Sequence, residues 1–158
     1  MASSKRKRRS GARPPGVDVS AVRLDRDLPL PAYARPGDAG LDLRASEAVR
    51  IEPGERRLVP TGVAAAIPEG HAGLILPRSG LARQKGVTVL NAPGLIDSGY
   101  RGELMVLLIN HGAEPVAIER GERIAQLVIQ AVARARLVEV ERLPDSARGE
   151  GGFGSTGA

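Results

Sequence analysis

From Val17 onward the chain never runs far without a turn signal. Apolar stretches of about four to nine residues alternate with Pro53-Gly54, Pro68-Glu69-Gly70, Pro93-Gly94, Asn110-His111-Gly112 and Arg120-Gly121. Each of these favours a chain reversal, through proline's fixed φ, glycine's freedom or an Asn side chain that bonds its own backbone. The 20 glycines and 12 prolines make up a fifth of the 158 residues, against a usual share of roughly 12%. That density argues against a helical bundle. It predicts short strands over 20–24, 41–44, 49–51, 57–60, 62–67, 72–76, 87–90, 104–110, 116–118, 124–130 and 137–143. Many short strands at this spacing read as an all-β, jelly-roll-like sandwich or barrel. A single helical turn is expected over 80–85.

Two of these strands predict something about packing. Residues 137–143 alternate partly, as a half-exposed strand should. Residues 104–109, Leu-Met-Val-Leu-Leu-Ile, are apolar throughout. Both faces of that strand are expected to be covered, by the rest of the fold or by another subunit.

The length suits one domain, expected over 17–147, between a basic tail at 1–16 and a Gly-rich arm at 148–158. The formal charge is +5. The tail carries Lys5, Arg6, Lys7, Arg8, Arg9 and Arg13 and no acid, so the remaining chain is close to neutral. The run Lys5–Arg9 is a candidate nucleic-acid or targeting patch. A solvated, disordered tail is the preferred reading, because stacking aromatics and a folded reader motif are missing. Cysteine is absent, which removes disulfides, thiolate nucleophiles and Cys-based zinc sites. The longest uncharged stretches, 58–68 and 86–96, are 11 residues each, against the ~18 of a membrane helix. A cytoplasmic protein without membrane contact is expected.

Four stretches set polar side chains beside glycines that let a ligand approach the backbone. Pro77-Arg-Ser-Gly-Leu-Ala82 follows a strand and opens the helical turn, a plausible phosphate cradle or a simple helix cap. It lacks the Walker A spacing. Arg148-Gly-Glu-Gly-Gly-Phe-Gly-Ser-Thr-Gly157 offers charge, hydroxyls and freed backbone donors, and its Phe153 can stack on a base. Asp97, in Gly94-Leu-Ile-Asp-Ser-Gly-Tyr-Arg-Gly102, is a candidate general base or a turn residue. Asp42 is a candidate for holding a hard cation directly or through water, or an ordinary strand Asp. His71 and His111 lack partners at ligand spacing and read as turn or surface residues.

Taken together and in order, these stretches resemble the five motifs of the trimeric dUTP diphosphatases (dUTPases). The motifs are Ala39-Gly-Leu-Asp-Leu-Arg-Ala45, Pro77–Ala82, Gly94–Gly102, Arg120-Gly-Glu-Arg-Ile-Ala-Gln126 and Arg148–Gly157. The resemblance implies a homotrimer with shared active sites that converts dUTP and water to dUMP and diphosphate with Mg2+, lowering dUTP and supplying the dTMP precursor. It implies that Asp97 is the general base and that Asp42 holds Mg2+ through water. Arg78, Ser79, Gly80 and Gln126 would contact phosphates. Asn91, Leu95, Ile96, Asp97 and Met105 would form the uracil pocket, and Tyr100 would lie under the deoxyribose. Arg148, Ser155 and Thr156 would close on the γ-phosphate and Phe153 on the base. Two alternatives stay in view. A dCTP deaminase of the same fold carries a second Ser after Arg-Ser and a hairpin Glu, where this chain has Gly80 and Asp97. The other is a non-catalytic nucleotide sensor or nucleic-acid binder, which has no use for intact Asp42, Asp97 and terminal arm.

Overall fold

The computed structural model describes residues 16–147 and residue 149. Ten strands and one helix follow in chain order. The strands are β1 Ser20–Arg23, β2 Leu41–Arg44, β3 Val49–Ile51, β4 Arg56–Ala66 and β5 His71–Pro77. After helix α1 (Ser79–Lys85) come β6 Val87–Val89, β7 Gly94–Ile96, β8 Glu103–Asn110, β9 Val116–Ile118 and β10 Arg123–Ala131. They form two four-stranded sheets, ordered β1-β4-β8-β6 and β2-β10-β5-β7, and a β3-β9 pair. Every pairing is antiparallel. The fold is all-β, as the turn density requires.

The core lies between the sheets. Leu43, Ile51, Val59, Leu104, Val106, Leu108 and Ile118 are wholly buried in it, with Ile124 and Ala125 of β10. Asn110 is a polar residue within this interior, with no exposed surface. Its Nδ2 donates to Ile51 O at 3.0 Å and Glu114 O at 2.8 Å, and its Oδ1 accepts from Gly112 N at 2.8 Å. One side chain thus satisfies three backbone groups where water is excluded. Asn110→Ala should cost roughly 2–3 kcal/mol, because those groups lose their partners. Denaturant melts of the variant and parent measure it; equal midpoints would remove Asn110 as a folding determinant.

The structure corrects the sequence reading at several elements. Residues 57–60 and 62–67 are one strand rather than two. Gly62 has a left-handed φ of 70° and sits in a bulge where the β4–β8 register shifts. The Thr61 hydroxyl donates to Leu104 O across that bulge at 2.6 Å, so the pairing survives the kink. Residues 137–143 form no strand, and Leu137 is 96% exposed. They pair with no strand of their own chain. Strand β8 buries only Leu104, Val106, Leu108 and Asn110 fully; Met105, Leu107 and Ile109 on its other face are half-buried. Both edges of β8 are paired, so its outer face alone is open. The helix has seven residues rather than one turn, and β7 is a strand where none is predicted. Among the described residues, no helix is long and apolar enough to cross a membrane.

Candidate active site

One group of functional side chains gathers where β2, β10 and β5 lie side by side. Asp42 of β2 pairs with Gln126 of β10, which pairs with Leu76 of β5. Two residues further, β5 ends and Arg78 leads into α1. The Asp42 carboxylate is nearly buried. Its Oδ1 lies 3.3 Å from Arg78 Nε and its Oδ2 3.1 Å from Arg123 Nη1. Arg78 Nη1 donates to Arg123 O at 3.0 Å, which fixes the fork across the strand end. Two guanidinium groups against one carboxylate leave net positive charge here, as an anion site needs. Gly40 permits the close fit: a Cβ there would lie 2.9 Å from Gln126 Cβ.

Helix α1 begins at this cluster without a side-chain cap, and no acidic residue occupies its first turn. Ser79 and Gly80 are exposed. The helix's far end is tied down at Gly86, whose φ of 68° makes a left-handed cap. There His111 N donates to Gly86 O at 2.9 Å, and Lys85 pairs with Glu122 at 3.4 Å. The first turn is thus held from behind and left open in front.

A second group lies along the other edge of β5, where β7 pairs with Gly73–Ile75. Asn91, Leu95, Ile96 and Met105 line one cleft of about 50 Å³, with β8's Leu107 completing its apolar wall. That volume holds a few waters. Gly94 keeps the hairpin tight, since a Cβ would sit 3.3 Å from Ile75 Cβ. Asp97 follows β7 and is exposed. It also lines a wider hollow of about 510 Å³ with His71 and Arg134. Tyr100 N donates to Asp97 O at 3.1 Å, closing the turn. Arg101 Nη1 braces it by donating to Ser98 O and Tyr100 O, both at 2.7 Å.

The sequence-read residues therefore form two groups, Asp42, Arg78, Ser79, Gly80 and Gln126 in one, and Asn91, Leu95, Ile96, Asp97, Tyr100 and Met105 in the other. The pairing of Ile96 with Gly73 puts Asp97 level with Ala72, six residues from Arg78. At about 3.3 Å per residue that is about 20 Å along β5. Arg148, Phe153, Ser155 and Thr156 lie outside the described residues, as do Lys5–Arg9 and Arg13. Arg123 and Arg101 were missed as individuals. Both stand inside the quoted motifs, where an arginine beside a carboxylate or a turn is a signal. Among the described residues no cluster of three or more His, Asp or Glu could hold a metal ion.

The dUTPase family profile matches residues 26–157. A deoxyuridine 5′-triphosphate nucleotidohydrolase of Thermobifida fusca is 62% identical over 142 residues, covering 89% of this chain and 79% of the relative. The dUTPase of Staphylococcus bacteriophage 80alpha, solved with dUPNHPP, superposes with a TM-score of 0.83 at 32% identity, over 89% of this chain and 99% of that one. A phage phi11 dUTPase variant of S. aureus, whose structure details the coordination of a structural Mg(II) ion, aligns with a TM-score of 0.74 at 28% identity. That match covers 80% of this chain and 98% of the other.

Proposed function

The chain belongs to the dUTPase family, and from that premise we propose that it hydrolyses dUTP to dUMP and diphosphate at sites shared between copies of the chain. The observation that carries this reading is the separation of Asp97 from Arg78 along β5. A triphosphate is too short to join residues about 20 Å apart along one strand, even with an arginine reaching inward. The base-and-sugar group of one copy facing the phosphate group of another resolves that mismatch. A homotrimer fits it, because three copies in a closed ring complete three equivalent sites. The exposed Leu137, Val138, Val140 and Leu143 and the open face of β8 offer apolar surface for such contacts.

The chemistry follows from these parts. Asp97 is the general base and takes a proton from the water that attacks the α-phosphorus in line. Diphosphate departs on the opposite side. Arg78, Arg123, Gln126 and the N–H groups around Ser79 and Gly80 hold the phosphates and offset the charge that develops on them. Asn91 and the backbone of Leu95, Ile96 and Asp97 read the uracil edge, and Met105 walls the cleft. Tyr100 lies against the deoxyribose and leaves no room for a 2′-hydroxyl. From the arm, Arg148, Ser155 and Thr156 close on the γ-phosphate and Phe153 covers the base, which excludes water.

The donor set fits Mg2+ in one way only. Asp42 Oδ1 is buried and accepts no hydrogen bond, its ion-pair partner Arg78 Nε lying 3.3 Å away, so a lone pair remains for a metal-bound water. A single carboxylate suffices where substrate phosphates supply the direct ligands. Mg2+ there would orient the triphosphate and offset its charge. The cytoplasm is the expected compartment.

Diphosphate release from dUTP, dTTP, dCTP and UTP tests the reading. Only dUTP should turn over well. Ammonia released from dCTP would favour the deaminase alternative, and inertness toward all four would favour the non-catalytic one.

A further inference from the structure

Tyr100 is exposed, yet it has a defined pose. Its hydroxyl donates to Glu103 O at 2.8 Å, which folds the ring back over the backbone of residues 101–103. Directly under the ring is Gly102. A Cβ built there would collide with the Tyr100 hydroxyl and lie 2.7 Å from Cζ and 3.1 Å from Cε2. Backbone conformation does not explain this glycine. Its φ is outside the left-handed region, unlike Gly62 or Gly86. Beyond its chain neighbours, the three atoms nearest to that Cβ all belong to the Tyr100 side chain.

The acceptor side is anchored too. The Glu103 carboxylate accepts from Gly62 N at 2.7 Å, tying the start of β8 to the β4 bulge. The carbonyl that receives the Tyr100 hydroxyl therefore sits at a strand start tied to β4.

We propose that Gly102 is a positioning residue, which together with the Glu103 carbonyl sets the Tyr100 ring in the pose that excludes ribonucleotides. The inference rests on Tyr100 lying against the sugar. An alanine at 102 leaves the backbone conformation accessible, so the ring yields and swings off Glu103 O. A displaced ring vacates volume where a 2′-hydroxyl would otherwise clash.

The test compares kcat/KM for dUTP and UTP in the parent, Gly102→Ala, Tyr100→Phe and Tyr100→Ala. The preference for dUTP should fall roughly 10–100-fold in Gly102→Ala, the scale of a lost steric check on one hydroxyl. Tyr100→Phe, which loses only the bond to Glu103 O, should fall between the parent and Tyr100→Ala. If Tyr100→Ala admits UTP while Gly102→Ala and Tyr100→Phe discriminate like the parent, the positioning role is wrong and the sugar contact stands. If none admits UTP, the sugar contact fails and takes this inference with it. A direct readout separates pose from fold. The chain has two tyrosines, so Tyr33→Phe leaves Tyr100 as the sole tyrosine signal in NMR spectra. Its ring resonances should shift in Gly102→Ala; unmoved resonances overturn the proposal. Should Gly102→Ala fail to fold, Tyr100→Phe decides alone, and parental discrimination in it counts against the proposal.

Discussion

Asp97→Asn should lower kcat by roughly 10²–10⁴, the range expected for loss of a general base, with KM changed little. The amide keeps the size and much of the hydrogen bonding of the carboxylate but cannot accept a proton from water. Binding should survive because the uracil cleft is lined by Asn91, Leu95, Ile96 and Met105, and the phosphates are held elsewhere. Asp97 is exposed and outside the core, so the variant should melt with the parent. Single-turnover kinetics isolate the chemical step. Parental turnover would exclude Asp97 as the base, and a rise in KM at constant kcat would make it a binding residue.

Deleting residues 148–158 should reduce kcat/KM by roughly 10²-fold or more, the cost of removing preorganised donors from developing charge. On the proposed reading, the deletion takes Arg148, Ser155 and Thr156 away from the γ-phosphate and Phe153 away from the base. It spares the exposed apolar residues of 137–143, so the assembly should keep three copies, measurable by light scattering. Steady-state diphosphate release checks the activity. Full turnover by the truncated chain would end the reading of the arm as a closing clamp.

What could be read in the sequence follows from how local each cause is. Residues 41–44, 49–51 and 116–118 were bounded correctly because turns flank each apolar run on both sides. The break expected within β4 was misread because Pro60-Thr61-Gly62 has the chemistry of a turn. Only the pairing with β8 and the Thr61 bond to Leu104 O make it a bulge. Residues 137–143 have a strand's sequence but no neighbour in their own chain, and a strand without hydrogen-bonding partners does not form. At the site, Asp42 and Arg78 were legible as a carboxylate and an anion donor. Their contact was not, since 36 positions and two sheet pairings separate them. Arg123 was passed over for a similar reason: its partner is in β2. Gly102 looked like any hairpin glycine, because its cause is the pose of a ring two residues away.

Strand β5 works as a ruler. The hairpin carrying Asp97 pairs with its middle, Gly73–Ile75, and Arg78 leaves from its last residue. Inserting or deleting residues within β5 would alter the offset between these groups in every copy at once, and so the alignment of every site in the proposed assembly. An odd change would also turn its buried face outward. Evolution can therefore vary the length of this chain in exposed loops, such as the one containing Gly37, while the seven residues of β5 are constrained to a single length.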